Sequence, residues 1–246
     1  LKVKDSRFDK RETKIVPESD NSHVAMAVNL DACINCNLCV RACREVQVND
    51  VIGMGNRGHV SQVIFDFNDP MGDSSCVSCG ECVQACPTGA LMESNLLNEN
   101  GKKVVNADRK VDSLCPYCGV GCQLTYNIKD EKIVSVDGRE GPANHNRLCV
   151  KGRFGFDYVH NPERITKPLI RKKGIKKDPK EKLDPLNPLS HFREASWEEA
   201  LDLAARKLSS IRDAKGGDNA LAGFGCAKGS NEEAYLFQKL IRTGFK

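Results

Sequence analysis

The sequence predicts an α+β chain made of two or three small units, and three observations predict it. Twelve of the thirteen cysteines fall into three compact quartets, and the first two quartets share one internal spacing. The residues between and after them alternate like short strands joined in hairpins. Beyond Ser196 the pattern changes to helix, strand, helix, which suggests the opening of a nucleotide-type α/β domain.

Composition narrows the function. The 246 residues carry 37 Lys and Arg against 33 Asp and Glu, a net charge of +4. That surplus argues against a dedicated nucleic-acid binder, which concentrates basic charge on one face. Apolar residues make up 40%, enough for a modest core, so something besides the core helps hold the chain. No apolar run approaches the roughly 18 residues that span a bilayer. The chain begins at Leu1 rather than Met and stops at Thr243-Gly244-Phe245-Lys246, just after a helical pattern. It reads as an internal piece of a longer polypeptide.

Residues 1–24 are polar with mixed charge and read as a linker or tail. His23, at its end, reads as a surface or capping residue. Residues 25–100 form the cysteine-dense unit. Inside it, Val60 to Phe67 is strand-like and the turn at Asp69-Pro70 to Gly72 follows, so the stretch between the quartets forms a hairpin. Residues 93–112 are polar and read as a connection. The third quartet lies within 108–164, where Gln123–Ile128 alternates and, after Lys129-Asp130-Glu131, Ile133–Val136 completes a hairpin. Residues 167–182 are strongly basic and read as a solvated loop, because no aromatic residues interleave the charges.

The remainder of 165–246 holds two helix starts. Ser196 with Glu199, and Ser230 with Glu233, are capping boxes. Trp197, Ala200, Leu201, Ala204, Leu208 and Ile211 recur at helical spacing, as do Ala234, Phe237, Leu240 and Ile241, and both stripes are expected in the core. Gly216-Gly217 ends the first helix, and Ala220–Gly225 is a candidate buried strand. Cys226, outside the quartets, is expected to be a small buried thiol.

The spacing of the quartets points to chemistry. Cys33, Cys36, Cys39 and Cys43 have gaps of two, two and three residues, and Cys76, Cys79, Cys82 and Cys86 repeat them. A cubane iron–sulfur cluster needs three thiolates from one tight loop and a fourth from elsewhere. When two such runs occur, the fourth cysteine of each ligates the other cluster. The ligand sets are then Cys33, Cys36, Cys39 and Cys86 for cluster A, and Cys76, Cys79, Cys82 and Cys43 for cluster B. Zinc sites use paired C-x2-C motifs and give a third cysteine two residues further on no role. Pro87 follows Cys86 and turns the chain away, whereas Arg44 follows Cys43. Cys115, Cys118, Cys122 and Cys149 have wider gaps that would also suit zinc.

Residues 29–92 resemble a two-cluster bacterial ferredoxin, a small α+β domain that passes single electrons. Cys149-Val150-Lys151-Gly152-Arg153 resembles the N-terminal cluster domain of the molybdopterin oxidoreductases. That resemblance implies a third [4Fe-4S] cluster, C, on Cys115, Cys118, Cys122 and Cys149. It also implies that Lys151 lies as a fixed cation between cluster and pterin. Cys43-Arg44-Glu45-Val46-Gln47, the Asp69-Pro70-Met71-Gly72 turn and Gly229-Ser230-Asn231-Glu232-Glu233 narrow the resemblance to the large subunit of cytosolic molybdenum- or tungsten-dependent formate dehydrogenases.

The resemblance implies a cytoplasmic oxidoreductase acting on formate. It implies a Mo or W centre held by two pterin guanine dinucleotides in the full-length subunit, and a flavin partner subunit that reduces NAD+. Lys228 and Asn231, before a helix start, would contact the cofactor phosphates. In that family the Cys or selenocysteine on the metal lies after the Asn-Glu-Glu helix, beyond this chain, so the chain is not catalytic alone. Two other readings stand beside it. One is a stand-alone electron-transfer module, and the other keeps the fold but serves nitrate or a hydrogenase-linked complex.

Overall fold

A computed structural model describes residues 17–214 and 220–245. The expected helix end at Gly216-Gly217 and the tail up to residue 16 lie outside the described residues. The chain divides into two compact units between Asp157 and Tyr158. Among the described residues no helix is long and apolar enough to cross a membrane.

The first unit opens with β1 (Met26–Val28), which pairs antiparallel with β4 (Leu91–Glu93). Between them lie α1 (Leu38–Arg41), the hairpin β2 (Ile52–Gly55) with β3 (Gln62–Phe65), and α2 (Glu81–Ala85). The hairpin forms where the sequence places one. Met26, Val28, Val40, Ile52, Val63, Phe65, Met71 and Leu91 make one buried cluster, into which Cys39, Cys43 and Cys82 also pack.

The end of the expected tail belongs to the fold. Asp20 and Val28 exchange backbone hydrogen bonds at 2.9 Å. The Asp20 carboxylate accepts from the Met71 N–H at 2.6 Å, and the Ser22 hydroxyl accepts from the Gly72 N–H at 2.8 Å. A Cβ on Gly72 would sit 2.5 Å from the Ser22 carbonyl oxygen, which is why glycine stands there. His23 is correspondingly not a surface residue but buried. Its Nδ1 accepts from the Ala25 and Met26 N–H groups at 3.1 and 3.2 Å.

The same unit continues as a three-stranded antiparallel sheet of β5 (Arg109–Leu114), β6 (Gln123–Lys129) and β7 (Lys132–Gly138). The β6–β7 hairpin follows the sequence pattern. β5 lies largely in the stretch expected as a polar connection. It is an edge strand with charged residues on both faces, so its pairing with β6 and not its own alternation makes it a strand. Leu124, Val136 and Leu148 form a second, smaller core beside Cys115 and Cys122. α3 (Val150–Phe154) follows Cys149.

In the second unit β8 (Leu169–Arg171) pairs with β9 (Phe192–Glu194), and α4 (Trp197–Arg212) and α5 (Asn231–Lys239) follow. The Ser230–Glu233 box closes both ways. At α4 only half forms: Ser196 accepts from the Glu199 N–H, but the Glu199 carboxylate pairs with Arg193. No described residue of this unit is buried. Trp197 is 68% exposed and Leu201 60%, so the expected core stripes are not a core here. Two helices and one short hairpin offer too little apolar surface to cover them. Ala220–Gly225 forms no strand, because no described segment supplies its ladder, and Cys226 is exposed rather than buried for the same reason.

Candidate metal centres

The two C-x2-C-x2-C loops repeat in conformation as well as in spacing. Asn35 and Ser78, each two residues after the first cysteine of its loop, have φ of 54° and 58°. Asn37 and Gly80, each just after the second cysteine, have φ of 63° and 71°. These left-handed residues, three of them Asn or Gly, which tolerate αL most readily, curl each loop. The curl turns N–H groups onto sulfur: Asn35 donates to Cys33 Sγ and Ser78 to Cys76 Sγ, both at 3.4 Å.

The fourth cysteines diverge for a local reason. The residue before a proline avoids helical backbone. Cys86, before Pro87, accordingly leaves α2 in extended conformation (φ −76°, ψ 116°). Cys43 has no proline after it, and the chain continues from α1 into a π turn, Ala42–Val46. Cys33, Cys36, Cys39 and Cys86 thereby line one cavity, with Leu30, Val63 and others. Cys43, Cys76, Cys79 and Cys82 line another, beside Val51 and Ile52. Each set of four thiols around one cavity is the donor set of a cubane.

The electrostatics agree with that donor set. Burial pushes the Cys39 thiol up to about 11, helped by Cys33, Cys86 and Cys36 around it. Burial pushes Cys82 well above its ordinary value, with the neighbouring thiols adding to the effect. In each quartet at least one thiol is buried among the others, Cys39 in one and Cys43 and Cys82 in the other. Clustered thiolates repel one another, and a cationic centre makes such a set favourable because metal coordination deprotonates a thiol outright. Cys86 runs the other way. Burial opposes its ionisation, but N–H groups of Leu91, Thr88 and Ala90 and the Thr88 hydroxyl outweigh it.

The third quartet lies beside the three-stranded sheet. The Cys115 N–H donates to the Cys122 carbonyl at 2.9 Å, closing the first loop. Burial raises the Cys115 and Cys122 thiols, and Cys118 and Cys149 raise both further, which brings all four into one electrostatic neighbourhood. The chain leading to Cys149 is stapled by buried Asn144. Its Oδ1 accepts from the Gln123 N–H at 2.9 Å, and its Nδ2 donates to the carbonyls of Gln123, Arg139 and Arg147 at 2.9, 3.2 and 3.1 Å. At Gly152 in α3 a Cβ would press on Leu148 Cδ2 at 3.2 Å and come into ordinary contact with Cys115 Sγ at 3.6 Å.

Lys151 is exposed, and its ammonium makes no hydrogen bond or ion pair among the described residues. In the second unit a cavity of about 570 Å³ is lined by Gly223, Gly225, Cys226, Gly229 and Phe237 among others. Lys228 and Asn231 are both exposed, and neither lines it. Sequence reasoning missed Asn144, and it missed Arg153 as a buried residue. No spacing rule marks a lone asparagine, but an arginine one turn beyond a ligand cysteine was open to notice.

Comparison with known proteins fits this order of parts. Residues 32–90 match the 4Fe-4S dicluster domain, 108–161 the molybdopterin oxidoreductase Fe4S4 domain, and 164–246 the molybdopterin oxidoreductase family. The chain is 35% identical over 252 residues to "Putative formate dehydrogenase SH0748" of Staphylococcus haemolyticus, covering 87% of this chain and 24% of that protein. It is 36% identical over 259 residues to "Probable oxidoreductase YjgC" of Bacillus subtilis, covering 91% and 25%. It thus spans about a quarter of the length of the curated relatives it matches. An NAD+-reducing [NiFe]-hydrogenase in the H2-reduced state shares 26% identity over 37% of this chain and 36% of that one, with a TM-score of 0.29. Two cysteine loops of one design, a third quartet on its own sheet and three family matches in this order make the chain the N-terminal part of a molybdopterin oxidoreductase, its Fe4S4 domains followed by the start of its molybdopterin domain.

Proposed function

We propose that this chain is the electron-conducting part of a formate dehydrogenase. The observation that carries the proposal is the placement of three thiol quartets in one compact unit, with the second quartet's loop touching the segment after Cys149: Arg153 Nε donates to the Cys79 carbonyl at 3.1 Å. The choice of formate rests on the names of the relatives. On this reading the chain divides into a tail (1–24), a two-cluster domain (25–100), a one-cluster domain (108–164) and the start of the pterin domain (165–246).

Cluster A takes Cys33, Cys36, Cys39 and Cys86. Cluster B takes Cys76, Cys79, Cys82 and Cys43, and cluster C takes Cys115, Cys118, Cys122 and Cys149. Cubane clusters supply one-electron carriers, and a molybdenum or tungsten pterin centre supplies two-electron oxidation of formate to carbon dioxide. The chain's own residues do the rest. The left-handed loop residues present N–H groups to sulfur, and such bonds favour the more negative, reduced state. Lys151 places an exposed cation two residues past a ligand, where it favours added negative charge. Lys228 and Asn231 would meet cofactor phosphates. The contact of Arg153, after Cys149, with the Cys79 loop supports the order C, B, A, towards a flavin subunit that reduces NAD+.

The test is formate-dependent dye reduction by the full-length enzyme with its metal loaded, together with bleaching of the cluster absorbance by formate. Activity with bleaching supports the proposal. Nitrate turnover without formate activity would move the assignment to another substrate of the same fold.

A further inference from the structure

Arg153 is 1% exposed, yet it carries a full charge. Four of its five N–H donors are engaged. Nε donates to the Cys79 carbonyl at 3.1 Å, Nη1 to Gln84 Oε1 at 2.7 Å and to the Val136 carbonyl at 3.3 Å, and Nη2 to Glu81 Oε2 at 3.2 Å. Cys79, Glu81 and Gln84 belong to the loop and helix of quartet B, while Arg153 and Val136 belong to the segment of the third quartet. Gln84 ties the same seam again: its Oε1 accepts from the Gly138 N–H at 3.0 Å, and its Nε2 donates to the Asn146 carbonyl at 3.3 Å. Gly80 makes room, since a Cβ there would sit 2.7 Å from Arg153 Cδ.

A buried ion pair is a poor way to gain stability, because apolar residues of similar volume often do as well or better. What a guanidinium offers and an apolar side chain does not is a rigid fork with fixed bond directions, and a positive charge. We propose that Arg153 is a positioning residue for electron transfer. It locks the Cys79–Gln84 segment onto the Cys149–Phe154 segment, so that clusters B and C keep one separation, and its charge favours the reduced state of cluster B. Electron tunnelling falls exponentially with distance, so a fixed gap is a functional requirement. The inference rests on the reading that the quartets hold cubanes.

The test uses the cluster-loaded chain, prepared without oxygen, as parent and as the variants Arg153→Met, Arg153→Lys and Gln84→Leu. Iron and labile sulfide come first; a parent that lacks them defeats the cubane reading itself, separately from this one. The reduced proteins are then compared by electron paramagnetic resonance and redox titration. In all three variants the magnetic interaction between clusters B and C weakens while that between A and B persists. The midpoint of cluster B falls in Arg153→Met and returns towards the parent in Arg153→Lys. Parental spectra and midpoints in variants with parental iron overturn the proposal. Loss of iron from all three variants alike overturns it too, because Arg153 would then be a folding element.

Discussion

Replacing Asn144 with alanine tests how the third quartet is assembled. The carboxamide makes four contacts of 2.9 to 3.2 Å, one accepted and three donated. Two amide hydrogens serve three carbonyls, so the set counts as about three full hydrogen bonds. At about 1 kcal/mol net each, with carbonyls left short of partners, the loss is about 3 kcal/mol. Since 1.4 kcal/mol is a factor of ten, the loop before Cys149 should open roughly 100-fold more often. The assay is iron release to a ferrous chelator from the loaded chain, followed at the absorbance and paramagnetic signals of cluster C. Its release should accelerate by about that factor, while clusters A and B release at the parental rate. Asn144→Asp keeps the acceptor but sets a carboxylate against three carbonyl oxygens, so its release is faster at pH 7 than at pH 5. Release from cluster C within twofold of the parent in Asn144→Ala would refute the reasoning.

Other outcomes follow from the same geometry. Gly80→Ala places a Cβ 2.7 Å from Arg153 Cδ at a φ of +71°, and should cost about 1–2 kcal/mol in thermal unfolding from the backbone alone. Burial lowers the affinity of His23 for a proton, with Asp20 pulling weakly the other way. The unfolded chain therefore takes up that proton first, and stability that is complete above about pH 6.5 is lost as the pH falls towards the lowered value. Burial of Asp20 is outweighed by hydrogen bonds from Ser22 and Met71, so its carboxyl titrates below the usual range and its contribution is lost only at still lower pH. Protease cleavage near residues 17–28 should accelerate from pH 7 to pH 5, and His23→Gln should flatten that dependence. Cys86→Ser should abolish the signals of cluster A and leave those of cluster C.

The sequence announced the parts whose signal is local. The two hairpins and both N-caps depend on neighbours within a few residues, and all are found where the chain places them. β5 was hidden because an edge strand with charged faces gets its conformation from its partner. His23 and Asp20 were hidden because their burial comes from Met71, Gly72 and Ser78, about fifty residues away. The stripes of α4 and α5 erred in the other direction. Periodicity makes an amphipathic helix, but burial needs an opposing surface, and the second unit supplies none for Trp197 or Leu201.

On the proposed reading twelve thiols close around three inorganic cages. Iron, acid-labile sulfide and zinc determined on the same anaerobic preparation, with Mössbauer spectra of the iron, test this most directly. About twelve iron and twelve sulfide per chain, all in cubane form, are expected. Zinc at about one per quartet, with no labile sulfide, would contradict it.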